Sequence, residues 1–479
     1  MFIKQSNDTF IRKYNNIGYI YNQRTKHDRI YDETGSIFLS KLTRTPKNFN
    51  EITEELQSIF TSANRAEIEN DLKDFILELE KDKFVIVGES KNDVESKDYL
   101  FSYSFEDPKK STYSFLNPEK YQTILSTTDF FDNYLRNNPQ IIDMEMELTS
   151  RCNERCLHCY IPHENKLNDI DAQLAMDILC QMKELGGINI SLSGGEPFLH
   201  ENFISILQSA RKNDLSISIL SNAVLLSNEI MSCIKDANIS QIQISLYSMN
   251  QKEHDKITQL QGSWKKTIDN IERLISENIP VQISCPVMKI NQFSYIDVLK
   301  WGYDKKIKVN TDFIMMGRTD FSTDNLKFRL NSIETTQLIK DIIRNDKEYI
   351  EQLDIEPKSN KFDDYKNKPV CGVGISNICM VSNGNFYPCS GWQSYILGNA
   401  YKNSLKEVWE NSENIKFLRS ITNSSFPQCL SCEARDYCSM CMVRNFNESN
   451  GDMFKVNKNF CEVAFITKKE VENYKSKRK

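Results

Sequence analysis

No apolar run in the 479 residues approaches the roughly 18 residues of a membrane span. The opening Met1-Phe2-Ile3-Lys4-Gln5-Ser6-Asn7-Asp8 also lacks the apolar stretch of a secretory signal. These absences predict a cytoplasmic protein with no membrane partner, in a compartment where thiols stay reduced. A surplus of positive charge is missing too. Sixty Lys and Arg against 66 Asp and Glu leave a net charge of −6, which argues against a nucleic-acid partner. The basic end Lys475-Ser476-Lys477-Arg478-Lys479 reads as a solvated tail. Hydrophobic content of 39% and charged content of 26% suit a globular chain with room for two to four domains.

Cysteine is what the chain has in quantity. Fourteen cysteines in a reducing compartment point to metal rather than to disulfides, and seven of them fall between Cys379 and Cys461. The densest early group is Cys152-x3-Cys156-x2-Cys159, placed where an alternating strand runs into a loop. Three thiolates so close can hold three corners of a four-iron cluster and leave the fourth iron open to a small molecule. Tetrahedral zinc is the alternative for such short spacings.

From 141 to about 313, strand and helix patterns alternate, the signature of a parallel βα architecture. The expected strands are 141–148, 188–192, 215–220, 239–246, 281–285 and 307–313. Doubly covered parallel strands normally read as unbroken apolar runs, but these alternate. Met144, Met146 and Leu148 stand between Asp143, Glu145 and Glu147, and Ile242, Ile244 and Leu246 alternate with Gln241, Gln243 and Ser245. Helices would cover the apolar face, so six such strands predict an open barrel with a polar hollow. Chemistry in such barrels sits at the C-terminal strand ends. The cysteine triplet follows the first strand, and Ser193-Gly194-Gly195-Glu196-Pro197 ends the second. Its glycines would let the backbone approach a ligand, and Glu196 could bind an ammonium group.

CxxxCxxC followed at this distance by GGEP resembles the radical S-adenosylmethionine (SAM) family. The resemblance implies that Cys152, Cys156 and Cys159 bind a [4Fe-4S] cluster while Gly194, Gly195 and Glu196 orient the methionine of SAM. It implies further SAM contacts at Tyr160, Ser221, Asn222 and Ser245, with Tyr160 and His158 near the adenine. His254-Asp255 matches a family pattern after the fourth strand, but Thr258 stands where Arg is common, which leaves the SAM carboxylate without an assigned partner. No catalytic residue is assigned. Cys180, Cys233 and Cys285 lie in apolar patterns and read as free buried cysteines.

Residues 1–90 read as a small separate domain: short strands at 10–14, 18–22 and 28–31, helices at 34–42, 50–60 and 64–83, and a last strand at 84–87. Nothing in it is catalytic. It resembles the PqqD-like winged-helix domain, which implies that a ribosomal precursor peptide adds its leader as a strand beside 28–31 and the third helix. A structural cap or a DNA-binding winged helix are the alternatives. Seven acids against four bases on the third helix disfavour DNA. Residues 91–138 read as a linker with some helix at 121–135, 139–350 as the barrel with its charged connector, and 351–479 as a final domain.

That final stretch carries Cys371, Gly384-x4-Cys389, Cys429-x2-Cys432-x5-Cys438-x2-Cys441 and Cys461. It resembles the SPASM domain, although the family usually has three residues between the last two paired cysteines. The resemblance implies a first auxiliary [4Fe-4S] cluster on Cys371, Cys389 and Cys441 and a second on Cys429, Cys432, Cys438 and Cys461. Cys379 could be a fourth ligand of the first or a core residue, and the core reading is favoured. A zinc ribbon is the alternative. The whole resemblance is therefore to an α/β radical SAM/SPASM maturase with three clusters, SAM, a precursor peptide partner and a reductase or flavodoxin electron donor. It implies oxidoreductase chemistry by 5′-deoxyadenosyl hydrogen abstraction, ending in a peptide cross-link, with a Cys thioether favoured over a carbon–carbon bond. A sulfatase-maturing type of protein oxidation and a non-catalytic zinc-binding peptide adaptor are the other readings.

Overall fold

Residues 1–98, 133–162, 168–346, 349 and 362–477 are described by the structure, a computed structural model. The alternation noted in the sequence becomes a parallel sheet: β7 (Asp143–Thr149), β8 (Asn189–Gly194), β9 (Ser216–Ser221), β10 (Gln241–Ser245), β11 (Val281–Ser284) and β12 (Lys308–Asn310) lie side by side in chain order. Amphipathic helices between them cover one face. On the helix Ala172–Glu184, for example, Ala175, Ile178, Leu179 and Met182 are buried behind an Asp171 cap. Met144, Met146, Ile190, Leu192, Ile242 and Ile244 meet these helices in one large core. The polar residues of the same strands face the other way, into the hollow of a partial barrel. The last strand is three residues long and ends at Asn310, short of the expected 313.

The C-terminal region extends this sheet. Strands β13 (Asn377–Met380), β14 (Asn385–Tyr387) and β15 (Gly398–Asn399) follow one another outward from β7, and β13 runs parallel to it. Phe386, Trp392 and Trp409 join the same apolar core as the barrel strands. Barrel and C-terminal region therefore share one interior.

The N-terminal unit has two small sheets. One has the order β2 (Thr9–Tyr14), β3 (Ile17–Asn22), β4 (Asp28–Tyr31); the other has β1 (Phe2–Gln5) between β5 (Lys47–Asn48) and β6 (Val85–Gly88). Neither β1 nor β5 was expected from the sequence. Helices Glu33–Ser40, Phe49–Gln57 and Arg65–Lys81 close over a separate core of Ile52, Leu56, Leu72, Phe75 and Ile76. The second helix starts at Phe49, ahead of the expected 50, and is capped by Asn48 in a reciprocal box with Glu51. The expected helix at 121–135 lies mostly outside the described residues.

This unit seats on the starts of the barrel strands. Arg12 donates to the Gly187 carbonyl at 2.9 Å, Tyr14 to that of Gly186 at 2.9 Å, and Arg24 to that of Ile239 at 2.6 Å. Asp214, just ahead of β9, receives Arg12, Arg44 and Lys183. Burial pushes its carboxyl up, but these three cations outweigh that and hold it at about 2. Phe10, Tyr14 and Tyr19 pack on Ile188 at the same seam.

None of the fourteen cysteines is in a disulfide. Cys233 and Cys285 are buried, but Cys180 is exposed, because it falls outside the apolar stripe of its helix. Among the described residues no helix is long and apolar enough to cross a membrane.

Candidate active site

Strand β7 ends at Thr149 and delivers the chain into the loop carrying Cys152, Cys156 and Cys159. That loop is fastened from two sides. Gly195 N–H donates to the Thr149 carbonyl at 2.8 Å and Glu196 N–H to that of Arg151 at 2.9 Å. Across from it, Arg155 N–H donates to the Thr258 carbonyl at 2.9 Å and Leu157 N–H to that of Ile257 at 3.0 Å. The two glycines serve this fastening. A Cβ on Gly194 would stand 2.2 Å from the Thr149 carbonyl oxygen and one on Gly195 2.1 Å from that of Arg151. Glycine here lets the two loops touch, where the sequence suggested a close approach to a ligand. Thr258, at the position where Arg is common, is fully buried and holds the loop with its backbone.

The three thiols are gathered. Burial first, then Glu154, Cys159 and Cys152, raise the Cys156 thiol well above its ordinary range. Its sulfur lies 3.3 Å from Glu154 Oε2 and 3.7 Å from the Tyr247 hydroxyl. His158 packs edge-on against Tyr247 with ring centroids 5.0 Å apart. Ser245 bonds the same Tyr247 hydroxyl. Glu154 and Tyr247 were not picked from the sequence. The one signal for Tyr247 is an aromatic two residues past the end of β10.

Glu196 is fully buried beside this loop. It accepts from the Ser221 hydroxyl at 2.8 Å, the Asn222 N–H at 2.8 Å and the Phe198 N–H at 3.2 Å. Burial nevertheless pushes its carboxyl up to about 7, more than those three bonds pull it down. Asn222 also reaches Asn153 at 2.9 Å and sits 4.0 Å from the Cys152 sulfur. Ser221 and Asn222 thus hold Glu196 and the cysteine loop together. His254 is buried, accepts from the Tyr247 N–H at 3.3 Å and is lowered to about 4 by burial, so it is neutral at neutral pH.

Glu145 and Glu147 project from β7 into the hollow. Ser193 donates to Glu145 at 2.8 Å and Gln393 to Glu147 at 2.8 Å. Burial raises the Glu145 carboxyl, against hydrogen bonds from Ser193 and Ser390. Tyr160 stands near both acids and bonds Ser390; burial, then Glu147 and Glu145, hold its hydroxyl well above the ordinary range. The acids were visible in the sequence only as the polar side of an alternating strand.

Seven C-terminal cysteines lie in two sets whose members influence one another electrostatically. Cys371 and Cys441 lie close enough to Cys389 to raise its thiol after burial has done so, and Cys441 adds to the burial of Cys371, which rises to about 11. Cys429 is raised to about 11 by burial and then by Cys438, Cys461 and Cys432. Cys379 is buried on β13 against Val381 and Tyr387, within electrostatic range of Cys389.

Iron and SAM fit these residues. Three sets of thiols that repel one another as thiolates are what a cationic cluster relieves. A buried carboxyl raised to about 7 is what a bound ammonium relieves.

Comparison with known proteins agrees. Residues 146–302 match the radical SAM superfamily and residues 371–433 an iron–sulfur cluster-binding domain, SPASM. Radical SAM proteins take SAM and a [4Fe-4S] cluster, and SPASM domains bind further clusters. The chain is 23% identical over 335 residues to the AdoMet-dependent heme synthase of Methanosarcina barkeri, covering 65% of this chain and 93% of that one. It is 23% identical over 343 residues to the antilisterial bacteriocin subtilosin biosynthesis protein AlbA of Bacillus subtilis, covering 68% and 72%. In fold it resembles Streptococcus suis SuiB bound to precursor peptide SuiA, with TM-score 0.62, 18% identity and coverage of 95% and 98%.

Proposed function

We propose that this chain, a radical SAM enzyme with a SPASM domain, matures a ribosomally made precursor peptide by cross-linking it. The observation that carries this is the β2–β3–β4 sheet. Among the described residues β4 pairs only with β3, and it lies against the long helix Arg65–Lys81 through Tyr31 and Phe75, ring centroids 5.1 Å apart. Its outer edge offers backbone groups that a leader peptide can complete as a fourth strand. The likeness in fold to SuiB runs through this unit as well as the barrel, and AlbA's bacteriocin role supports a peptide substrate.

Cys152, Cys156 and Cys159 would hold the SAM-binding cluster, and Glu196 the ammonium of SAM. The site's adenine side would be Tyr160 or the Tyr247–His158 pair, with Ser245 beside the latter. Cys371, Cys389 and Cys441 would hold one further cluster, and Cys429, Cys432, Cys438 and Cys461 another. When bound, SAM and its cluster supply hydrogen-atom abstraction from an unactivated carbon.

This chain's own residues then do three things. The fastened cysteine loop keeps the reacting end rigid. The hydroxyls and acids of the hollow offer partners to a buried peptide backbone. Glu145 would take the proton that a substrate cysteine thiol gives up as its sulfur bonds to the carbon, and a cluster held by the auxiliary cysteines would take the remaining electron. A thioether is favoured over a carbon–carbon link on the same terms. The setting is cytoplasmic, where both thiols and clusters survive.

The test is anaerobic incubation of the iron-loaded protein with SAM, a reductant and synthetic peptides copied from short reading frames beside its gene, followed by mass spectrometry. A peptide lighter by two hydrogen atoms, with one thiol lost to alkylation, is expected. SAM cleavage that leaves every such peptide unchanged would count against peptide maturation.

A further inference from the structure

Strand β4 turns two different faces to its surroundings. On one, Asp28 accepts from the Tyr19 hydroxyl at 3.1 Å and Ile30 packs on the cluster of Phe10, Tyr14 and Tyr19. On the other, Arg29 and Tyr31 meet the helix Arg65–Lys81. Arg29 pairs with Glu78 and Asp82, and Tyr31 packs on Phe75. Strand and helix therefore run in opposite directions along a shared groove. Asp82 marks its Arg29 end, and Asp71, one turn before Phe75 on the same helix face, marks its Tyr31 end.

The charge along this groove is uneven. At the Arg29 end the two acids share a guanidinium, and Lys81 adjoins Asp82 in sequence. At the Tyr31 end Asp71 and Asp74 are exposed and, among the described residues, in no ion pair. Asp32 and Glu33, also exposed, follow directly on the strand. Lys73, two residues past Asp71, lies on the opposite side of the helix. Most other bases of the N-terminal unit are engaged elsewhere. Arg12, Arg24 and Arg44 hold the barrel seam, Lys4 holds Glu95, Lys41 and Lys47 hold Glu55, and Arg65 holds Glu69.

We propose that the peptide strand completing β4 carries Lys or Arg at the positions beside Tyr31, and that Asp71 and Asp74 select it by charge. The proposal rests on reading the free edge of β4 as the seat of the leader. Backbone pairing along a sheet edge accepts many sequences, so it supplies affinity with little choice. The two acids add the choice: they attract a basic strand and repel an acidic one. Arg29 does not draw an acidic strand in its place, because two acids already hold it. The same repulsion keeps two copies of this chain from pairing edge to edge through β4.

The experiment uses the iron-loaded full chain without oxygen and three short fluorescein-labelled synthetic strands. They share one alternating Val and Ile pattern and differ only in the residues between, which are all Lys, all Gln or all Glu. Anisotropy reads affinity, and hydrogen exchange of the β4 amides reads the place of binding. The Lys strand should bind about tenfold tighter than the Gln strand, and the Glu strand weakest. The Lys strand should also protect β4 and weaken with added salt. The double variant Asp71→Lys with Asp74→Lys should reverse the order while its iron content stays the same. Equal affinity of the three strands, or an order that the double variant leaves unchanged, overturns selection by charge. If β4 is protected in that case, the edge remains the seat of the leader and the acids only guard it against self-pairing. Binding that leaves β4 unprotected, or no binding by any strand, overturns the edge reading itself and the charge selection with it.

Discussion

Cys379 of β13 stands directly beside Glu145 of β7 across a parallel pairing, so both side chains belong to the same face of the sheet. A cysteine from the C-terminal region thereby lines the wall of the barrel's hollow. Its thiol is raised by burial and then by Glu145 and Glu147, which makes it a protonated neighbour of the acids. Both readings of Cys379 meet at this place: it is a core residue by its packing and borders the first auxiliary group by its nearness to Cys389.

That arrangement makes Glu145 the residue to change first. Glu145→Gln keeps the Ser193 contact and removes the proton acceptor. Product formation should fall about 100-fold or more, the usual yield of one general base. SAM cleavage in the same assay should persist, so the ratio of cleaved SAM to product rises. Equal loss of both would mean that Glu145 only supports the fold.

Each cysteine group should answer separately in metal content. Paired serine substitutions within Cys152/Cys156, Cys389/Cys441 or Cys432/Cys438 should each remove about four iron and four sulfide per chain from a total of about twelve. The measurement is iron and sulfide analysis with an absorption spectrum on protein purified without oxygen. Cys379→Ala should cost no iron if Cys379 is only part of the wall.

SAM affinity should depend on pH through Glu196. Its carboxyl, at about 7 without a cation, must be ionised to hold an ammonium. Below pH 7 the dissociation constant should worsen by up to tenfold per unit, and above about 8 it should level off. The same shift makes the free protein less stable as pH rises from the unfolded value near 4.5 through 7, since the folded state prefers the protonated acid. Glu196→Gln should weaken SAM and flatten the pH profile together, as read by anaerobic calorimetry at several pH values.

Asp214 should control how firmly the N-terminal unit is seated. Asp214→Asn leaves Arg12, 4% exposed in its side chain, without its anionic partner and should cost about 2 kcal/mol. With a carboxyl depressed to about 2, the contribution is complete above about pH 4 and is lost as pH falls toward 2. Hydrogen exchange should quicken in β2 and β3 while β7 to β10 stay protected.

The barrel strands were legible because alternating residues report a sheet with one wet face, and the cysteine groups because their spacing is local. What the sequence hid is long-range. Residues 377–380 pair with 143–146 across more than two hundred positions, and nothing in either segment announces the other. The two-residue β5 and four-residue β1 are too short to show a period. Gly194 and Gly195 were recognisable as a motif, but their contact with the carbonyls of Thr149 and Arg151 needed the fold. Cys180 misled because a single apolar residue flanking a helical stripe reads like part of it.

The seat of the N-terminal unit sets a length scale for whatever threads the molecule. Arg12, Tyr14 and Arg24 grip the carbonyls ahead of β8 and β10, whereas the cysteine loop and Glu196 follow the far ends of β7 and β8. A seven-residue strand is about 20 Å tall. A peptide anchored along β4 would need at least six extended residues to climb that height before its first reactive side chain reached the cysteine loop. Shortening that spacer would leave anchoring untouched and put the reactive residue out of range, so the depth of the barrel would act as a ruler on its substrate.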